Sequence, residues 1–434
     1  MTEQEIFNLD NSAIYKFTFY YGEERIGILI QDVFNANHYI IKANDIRKYN
    51  DDSSLIKEIG YKINIETIKS FEAINKEEKL STNLSNNNIS VSNATKLIIL
   101  GAGASYDFSF DEKLEHTDRP PLTNSLFDDE YDYILKEYQG ANIFASEILQ
   151  AENVEQFFQE QWNIVKNHNA PDLLNKIINT QYYLQDLFLK ISANCSFNKR
   201  SNYTSLVSQI SKYEIKNKKQ IIVTSFNYDT LLEQALCTGL QYYYSEIDDY
   251  IDLNKKLLLF KPHGSCDWIR NFKTESDLIT EPEINELFSN RLFLEKHSYA
   301  EIFKQLESEI KIERDPRTTN NNSIYPKYLP QLLIPFTDKD EFVMPKNHRD
   351  SLEHSLDKID EILIIGWKGT EQVFKDLLNK KLKGKKIKVT VANKQDDSIK
   401  ELFDDPENKI EWDIQNTFSQ FMKDCNRTKD NFFT

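Results

Sequence analysis

The chain of 434 residues is short of several features that mark common protein classes. It has four cysteines, Cys195, Cys237, Cys266 and Cys425. No two stand at metal-ligand spacing and none forms a Cys-x-x-Cys pair, so neither a structural zinc site nor any other metal site is expected. So few thiols in so long a chain point to a reducing compartment. No apolar run approaches the roughly 20 residues that cross a bilayer. The opening Met-Thr-Glu-Gln-Glu-Ile is acidic and has no hydrophobic core, so no secretory signal is expected. A basic surplus is missing too: 53 Lys and Arg face 69 Asp and Glu, for a formal net charge of −16. Without positive charge to neutralise phosphates, direct nucleic-acid binding is not expected. The densest basic run, Lys380 to Lys386, reads as a solvated turn before a strand. The expectation is a cytoplasmic protein with no membrane attachment.

Glycine is also scarce, and its placement is informative. Of eleven glycines, five (Gly101, Gly103, Gly264, Gly366 and Gly369) fall at or near the ends of strong apolar runs. A glycine-poor chain that puts glycine there needs backbone where a Cβ would obstruct. What the chain has in quantity is hydrophobic residues, 40%, and aromatics, 12%, enough for a large core.

Residues 1–72 carry short alternating runs rich in aromatic and β-branched residues, as at Ala13–Tyr20, Ile26–Ile30 and His38–Lys42. An Asn/Ser-rich stretch from Asn75 to Ser90 reads as a linker. This predicts a small β-rich N-terminal domain with linker over 1–90 and a second domain over 91–434. From residue 96 the pattern turns α/β, with apolar runs at 97–100, 220–224, 256–260, 332–336, 361–365 and 387–391. Near-continuous runs of this kind suit parallel strands covered on both faces. The fold class expected is α/β: a Rossmann-like parallel sheet with helical insertions at about 127–215 and 275–325. Within the first insertion, Val154, Phe157, Phe158, Trp162 and Val165 recur at helical spacing, as do Leu184, Leu187, Phe188 and Ile191. These stripes read as core packing.

Three segments carry candidate chemistry. Leu97-Ile-Ile-Leu100 leads into Gly101-Ala102-Gly103-Ala104-Ser105, a small-residue loop that lets backbone amides approach a pyrophosphate. The third glycine of the dinucleotide fingerprint is replaced by Tyr106, which disfavours an ordinary Rossmann dehydrogenase. Thr224-Ser225-Phe226-Asn227-Tyr228-Asp229 follows the next strand, where α/β proteins bind ligands. Asn227 has an amide for a ribose hydroxyl or a water; Asp229 either caps the following helix or contacts ligand. His263 ends Leu257-Leu-Leu-Phe-Lys-Pro262 and precedes Gly264; its imidazole suits a general base. Ile362–Ile365 ending in Gly366-Trp367 with Glu371 beyond, and Lys388–Ala392 ending in Asn393, either line the adenosine half of a dinucleotide or make plain strand-to-helix turns.

Taken in order, Gly101–Ser105, Pro120–Phe127, Thr224–Asp229, Lys261–Ser265 with Trp268, Leu333–Phe336 and Ile365–Glu371 resemble the sirtuin-like superfamily, and more closely its bacterial branch in antiviral defence. The likeness spans about residues 96–395. It implies NAD as substrate, with Asn227 and His263 supporting cleavage of the nicotinamide glycosidic bond. It implies further that Gly101, Ala102, Gly103, Ala104, Ser105, Thr224 and Asp229 contact the dinucleotide, and more loosely Gly366, Trp367, Glu371 and Asn393. The zinc ribbon of the protein deacetylases is missing, and Tyr106-Asp-Phe-Ser-Phe110 stands where they have Gly-Ile-Pro-Asp-Phe-Arg. These departures disfavour acyl-lysine removal and agree with an NAD-depleting effector. Such an effector implies gating by a homo-oligomer or by a partner defence protein that senses infection. The rival readings are a non-catalytic sensor of NAD or ADP-ribose, a deacylase, and a structural subunit with a vestigial site.

Overall fold

In the computed structural model the chain divides into two compact units, Met1–Ser90 and Val91–Thr434. In the first, the structure describes the backbone of five strands. In the second it describes residues 96–110, 119–151, 153–168, 170–195, 201–217, 220–273, 304, 306–314, 328–333, 343–393, 399, 409–415, 417–428 and 432–433. The strands of the first unit are β1 (Tyr15–Phe19), β2 (Glu24–Gln31), β3 (His38–Lys42), β4 (Gly60–Ile63) and β5 (Ile68–Ala73). They form an antiparallel sheet in the order β4-β3-β2-β1-β5.

The second unit is built on β6 (Lys96–Leu100), β7 (Ile221–Ser225), β8 (Leu257–Phe260), β9 (Gly264–Asn271), β10 (Lys311–Ile312), β11 (Tyr328–Leu332), β12 (Glu361–Ile365), β13 (Lys386–Ala392) and β14 (Lys409–Gln415). Six of these form one sheet in the order β14-β13-β12-β6-β7-β8, with every neighbouring pair parallel. Counted along the chain within that sheet, the order is 3-2-1-4-5-6, the doubly wound dinucleotide-fold arrangement. Residues 97–100, 221–223 and 257–260 are inaccessible to solvent, as expected of strands covered on both faces.

Of the apolar run at 332–336, Leu332 ends the strand Tyr328–Leu332, which is antiparallel to β9 in a separate three-stranded sheet of order β10-β9-β11. Residues 334–336 lie outside the described residues. β14 has no counterpart among the apolar runs. It reads Lys-Ile-Glu-Trp-Asp-Ile-Gln and forms the sheet edge, where alternation replaces a solid apolar run.

Ten helices are described: α1 (Ala102–Tyr106), α2 (Asp132–Leu135), α3 (Gln139–Ile148), α4 (Val154–Asn167), α5 (Pro171–Cys195), α6 (Asn202–Asn217), α7 (Leu231–Leu240), α8 (Lys346–Ser355), α9 (Gln372–Leu382) and α10 (Phe418–Arg427). The two apolar stripes of the first insertion fall on α4 and α5. α4 starts where Asn153 Oδ1 accepts from the amides of Glu155, at 2.9 Å, and Gln156, at 3.1 Å. α5 is about 37 Å long at 1.5 Å per residue. It packs on α3 and α4 and on strands β9 and β11, tying the antiparallel sheet to the helical layer. Gln185 on α5 donates to Cys266 O at 3.0 Å and accepts from Tyr328 OH at 3.0 Å. Most of the expected 275–325 insertion lies outside the described residues.

Candidate functional site

The sheet order fixes where a ligand can sit. In an open parallel sheet the crevice lies beyond the carboxyl ends of the strands where the order reverses, here between β6 and β12. A cavity of about 860 Å³ opens at that place. It is at the upper end of the range for small-molecule and cofactor sites. Gly101, Ala102, Gly103, Ser105, Asn227, Asp229, His263, Gly366, Trp367, Glu371 and Asn393 all line it. Ala104 and Thr224 do not: both are wholly buried, Ala104 beneath the Gly366 turn and Thr224 within β7.

The glycine loop is constrained by the chain itself. Gly101 N donates to Ile365 O and Gly103 N to Gly366 O, each at 3.0 Å. A Cβ on Gly101 would stand 2.5 Å from Trp367 Cα, and one on Gly103 would stand 2.8 Å from Gly366 Cα. Gly366, at φ +61°, faces the same constraint from the other side, 2.1 Å from Ala104 N. The expectation is that backbone amides of this loop approach a pyrophosphate, and the amides of Gly101 and Gly103 are already engaged within the chain. These two donate to the β12 turn, and the glycines are needed for contact between backbones.

Asn227 is 5% exposed. Its Nδ2 donates to Ser105 Oγ at 2.9 Å and to Tyr203 OH at 3.2 Å, and those two hydroxyls are 2.8 Å apart. Its Oδ1 has no hydrogen-bond partner. Asp229 Oδ1 accepts from Leu231 N at 3.1 Å in a turn just ahead of α7, whose N-cap residue is Thr230, and Asp229 also lines the cavity. Burial pushes the Asp229 carboxyl up; the Lys261 ammonium, the Ser105 hydroxyl and the Leu231 amide draw it back.

His263 sits where the two sheets of this unit meet. β8 of the parallel sheet ends at Phe260, and β9 of the antiparallel sheet begins at Gly264. Gly264 has φ +76°, and a Cβ there would lie 1.9 Å from Gln331 O. The His263 carbonyl accepts from Leu333 N at 2.8 Å. The ring is 3% exposed, meets Phe226 edge-on at 4.9 Å, and has Nε2 3.7 Å from Glu371 Oε1. The other Glu371 oxygen accepts from Trp367 Nε1 at 2.5 Å, and the indole stacks on Phe226 at 5.5 Å. Glu371 and Trp367 thus form a bracket around His263. Asn393 Nδ2 donates to Trp367 O at 3.0 Å and holds the same turn.

Beneath the site, Lys261 is wholly buried. Its Nζ donates to Glu233 Oε1 and Ser265 Oγ at 2.7 Å and to Asp229 O at 2.8 Å. Burial opposes the charge on both partners: it raises the Glu233 carboxyl, and on Lys261 it is outweighed by Glu233 and Asp267, which hold the ammonium charged.

Several lining residues carried no sequence signal as single positions: Arg119, Lys368, Glu155 and Thr417. Phe188, of the second apolar stripe, is buried in the core and lines the cavity as well. Arg119 donates to Tyr106 O at 2.9 Å and lies over the Tyr106 ring. Tyr203, on α6, was equally unmarked; only three-dimensional packing brings it to Asn227. Among the described residues no group of three or more His, Cys, Asp or Glu side chains is placed to hold a metal, and no helix is long and apolar enough to cross a membrane.

No protein-family model matches the chain, and no curated protein matches it. Among solved structures it is similar to a Sir2 protein in complex with an inhibitor, 2′-O-acetyl-ADP-ribose and a deacetylated peptide. That likeness has 11% identity, covers 77% of this chain and 93% of the other, and has a TM-score of 0.32. Two structures solved to explain sirtuin substrate affinity match at 11% and 10% identity. They cover 82% of this chain and 98% of theirs, with TM-scores of 0.30 and 0.32. Values this low do not assign the chain to a family.

Proposed function

We propose that the cavity binds NAD and that the chain hydrolyses its nicotinamide N-glycosidic bond, giving nicotinamide and ADP-ribose. The observation that carries this reading is the meeting of Asn227 and His263 on one cavity at the switch point of a 3-2-1-4-5-6 sheet. A dinucleotide lies across such a crevice, and an acceptor amide beside a bracketed imidazole suits delivery of water to a ribose carbon.

The leaving nicotinamide takes the electron pair of the C1′–N bond and becomes neutral. Water supplies oxygen to C1′, and its proton passes to His263 and then to solvent. Charge accumulates on the ribose as the bond lengthens, so positioning and nearby negative charge do most of the work. Glu371 Oε1, at 3.7 Å from Nε2, stands beside the imidazole that receives the proton. General-base assistance of this kind is worth about 10²–10⁴-fold. With two loop amides engaged by the β12 turn, Arg119 and Lys368 on the lining supply positive charge toward the pyrophosphate. A hydrolase of this kind would deplete the cell of NAD, which fits a defence effector held in check by self-assembly or by an infection-sensing partner.

The test is release of free nicotinamide from NAD by the purified chain, alone and with proteins encoded beside it. Asn227→Ala and His263→Ala are each expected to lower release by about 10²-fold or more with unfolding curves unchanged. Full activity in both variants would reject the assignment. Binding of NAD without release would make the chain a sensor.

A further inference from the structure

The amide of Asn227 has two faces, and its surroundings choose between them. An asparagine presents either a donor or an acceptor to a ligand, depending on which way the amide is turned. Here the nitrogen end is engaged twice, by Ser105 Oγ at 2.9 Å and Tyr203 OH at 3.2 Å. Ser105 Oγ and Tyr203 OH are hydrogen-bonded to each other at 2.8 Å, and each oxygen keeps a lone pair for the Asn227 amide nitrogen. The Ser105 hydroxyl also helps draw the buried Asp229 carboxyl down from where burial pushes it.

Tyr203 is itself held from outside the cavity. It is 1% exposed, and its ring packs edge-on against Phe418 at 5.6 Å. Its neighbour Asn202 donates from Nδ2 to Ser419 Oγ at 2.8 Å, and Ser419 donates to Asp107 Oδ1 at 2.8 Å. Burial raises the Tyr203 hydroxyl well above its ordinary value, so it stays a neutral phenol. The start of α6 and the start of α10 are thereby locked to each other and to the end of α1.

We propose that Tyr203 is a positioning residue that turns the Asn227 amide so that its oxygen, and not its nitrogen, is presented to the ligand. The proposal rests on the preceding reading of Asn227 as a catalytic group, and it adds the chemistry of what that group touches. Residue 227 takes a hydrogen bond from an O–H, that of a ribose hydroxyl or the attacking water. It rejects a bare acceptor such as a phosphate oxygen or a carboxylate. The free Oδ1 on a side chain 95% buried is the group left to receive that bond.

Two measurements test this separately from NAD hydrolysis itself. With selective ¹⁵N-asparagine labelling, the Asn227 side-chain resonance is identified by its loss in Asn227→Ala. Its two protons are expected to exchange slowly with water in the wild type and at least ten times faster in Tyr203→Phe. Unchanged exchange in Tyr203→Phe overturns the proposal, whatever the enzyme's substrate. In kinetics, Tyr203→Phe is expected to lower kcat for nicotinamide release about tenfold with KM within twofold, since the cavity lining is intact. An unchanged kcat also overturns it. A wild type that releases no nicotinamide refutes the hydrolase reading and not this one, which the exchange measurement then decides. Should Tyr203→Phe fail to fold, Ser105→Ala removes the other acceptor of the same amide and is read by the exchange measurement alone, because Ser105 itself lines the cavity.

Discussion

Replacing Lys261 with methionine is expected to be among the most damaging single changes below the site. The ammonium has no exposed surface and makes three contacts, with Glu233, Ser265 and the Asp229 carbonyl, all at 2.7–2.8 Å. Methionine fills most of the volume, so the loss is electrostatic. A buried carboxylate that loses its cation costs about 3–5 kcal/mol. Two further acceptors left without a donor add roughly 1 kcal/mol each. The sum is about 5–7 kcal/mol, a large part of the 5–15 kcal/mol typical of a domain. The pH dependence has a definite sign. Burial raises the Glu233 carboxyl in the folded state, and Lys261 opposes that rise. Without Lys261 the folded carboxyl moves further above its unfolded value, so the folded state binds the extra proton. Stability is then retained at acid pH and lost as pH climbs above the ordinary carboxylate range. Chemical denaturation followed by tryptophan fluorescence at pH 5.5 and pH 8 reads both effects. Lys261→Met should show the larger deficit at pH 8, and adding Glu233→Gln should recover part of it. A deficit below about 1 kcal/mol, or one that grows toward acid pH, would refute the reasoning.

Other expectations follow from single contacts. Gly366→Ala should leave little folded protein, because the new Cβ meets Ala104 N at 2.1 Å. Gly384→Ala, also at positive φ but with nothing within 4 Å, should cost only about 1–2 kcal/mol. Expression yield and thermal melts of the two variants compare them directly. Arg119→Ala should raise KM for NAD about tenfold with kcat within threefold; a kcat collapse at constant KM would instead place Arg119 at the reacting bond. Burial lowers His348 from 6.5 to about 4, so the folded protein resists a proton that the unfolded chain accepts. Stability should fall by up to about 3 kcal/mol as pH drops from 6.5 to 4, and His348→Phe should flatten that slope.

Much of the parallel sheet could be read in advance because β6, β8 and β12 are nearly continuous apolar runs, β7 begins with Ile-Ile-Val, and β13 alternates Ile and Val with polar residues. The sixth could not, since an edge strand with Lys, Glu and Asp at alternate positions carries no such run. β9 was hidden for another reason. It starts at Gly264, four residues after Phe260 ends β8, and reads Gly-Ser-Cys-Asp-Trp-Ile-Arg-Asn, which carries no apolar run of its own. That Asn227 and His263 line one cavity was foreshadowed by their places, two residues past the end of β7 and three past the end of β8. The glycine loop was legible as a place where a Cβ cannot go, but the obstructing atoms belong to Trp367 and Gly366, more than 260 positions away. Glu371 reads in sequence as a loop residue after a glycine, and its place beside His263 depends on the turn that Trp367 and Asn393 hold. Tyr203 lies in an ordinary helix with no motif around it, and only the folded path of α6 reveals what its hydroxyl does.

The backbone lacing of Gly101, Gly103 and Gly366 has a mechanical consequence. It staples the two halves of the sheet together one residue past the last rung, at the switch point of the strand order. The crevice accordingly has a rigid sill. Accommodation of a guest falls to its jambs, the Pro120–Leu126 and Lys368–Glu371 segments. Substitutions that tune how readily a ligand enters should therefore collect in those two stretches and spare the glycines.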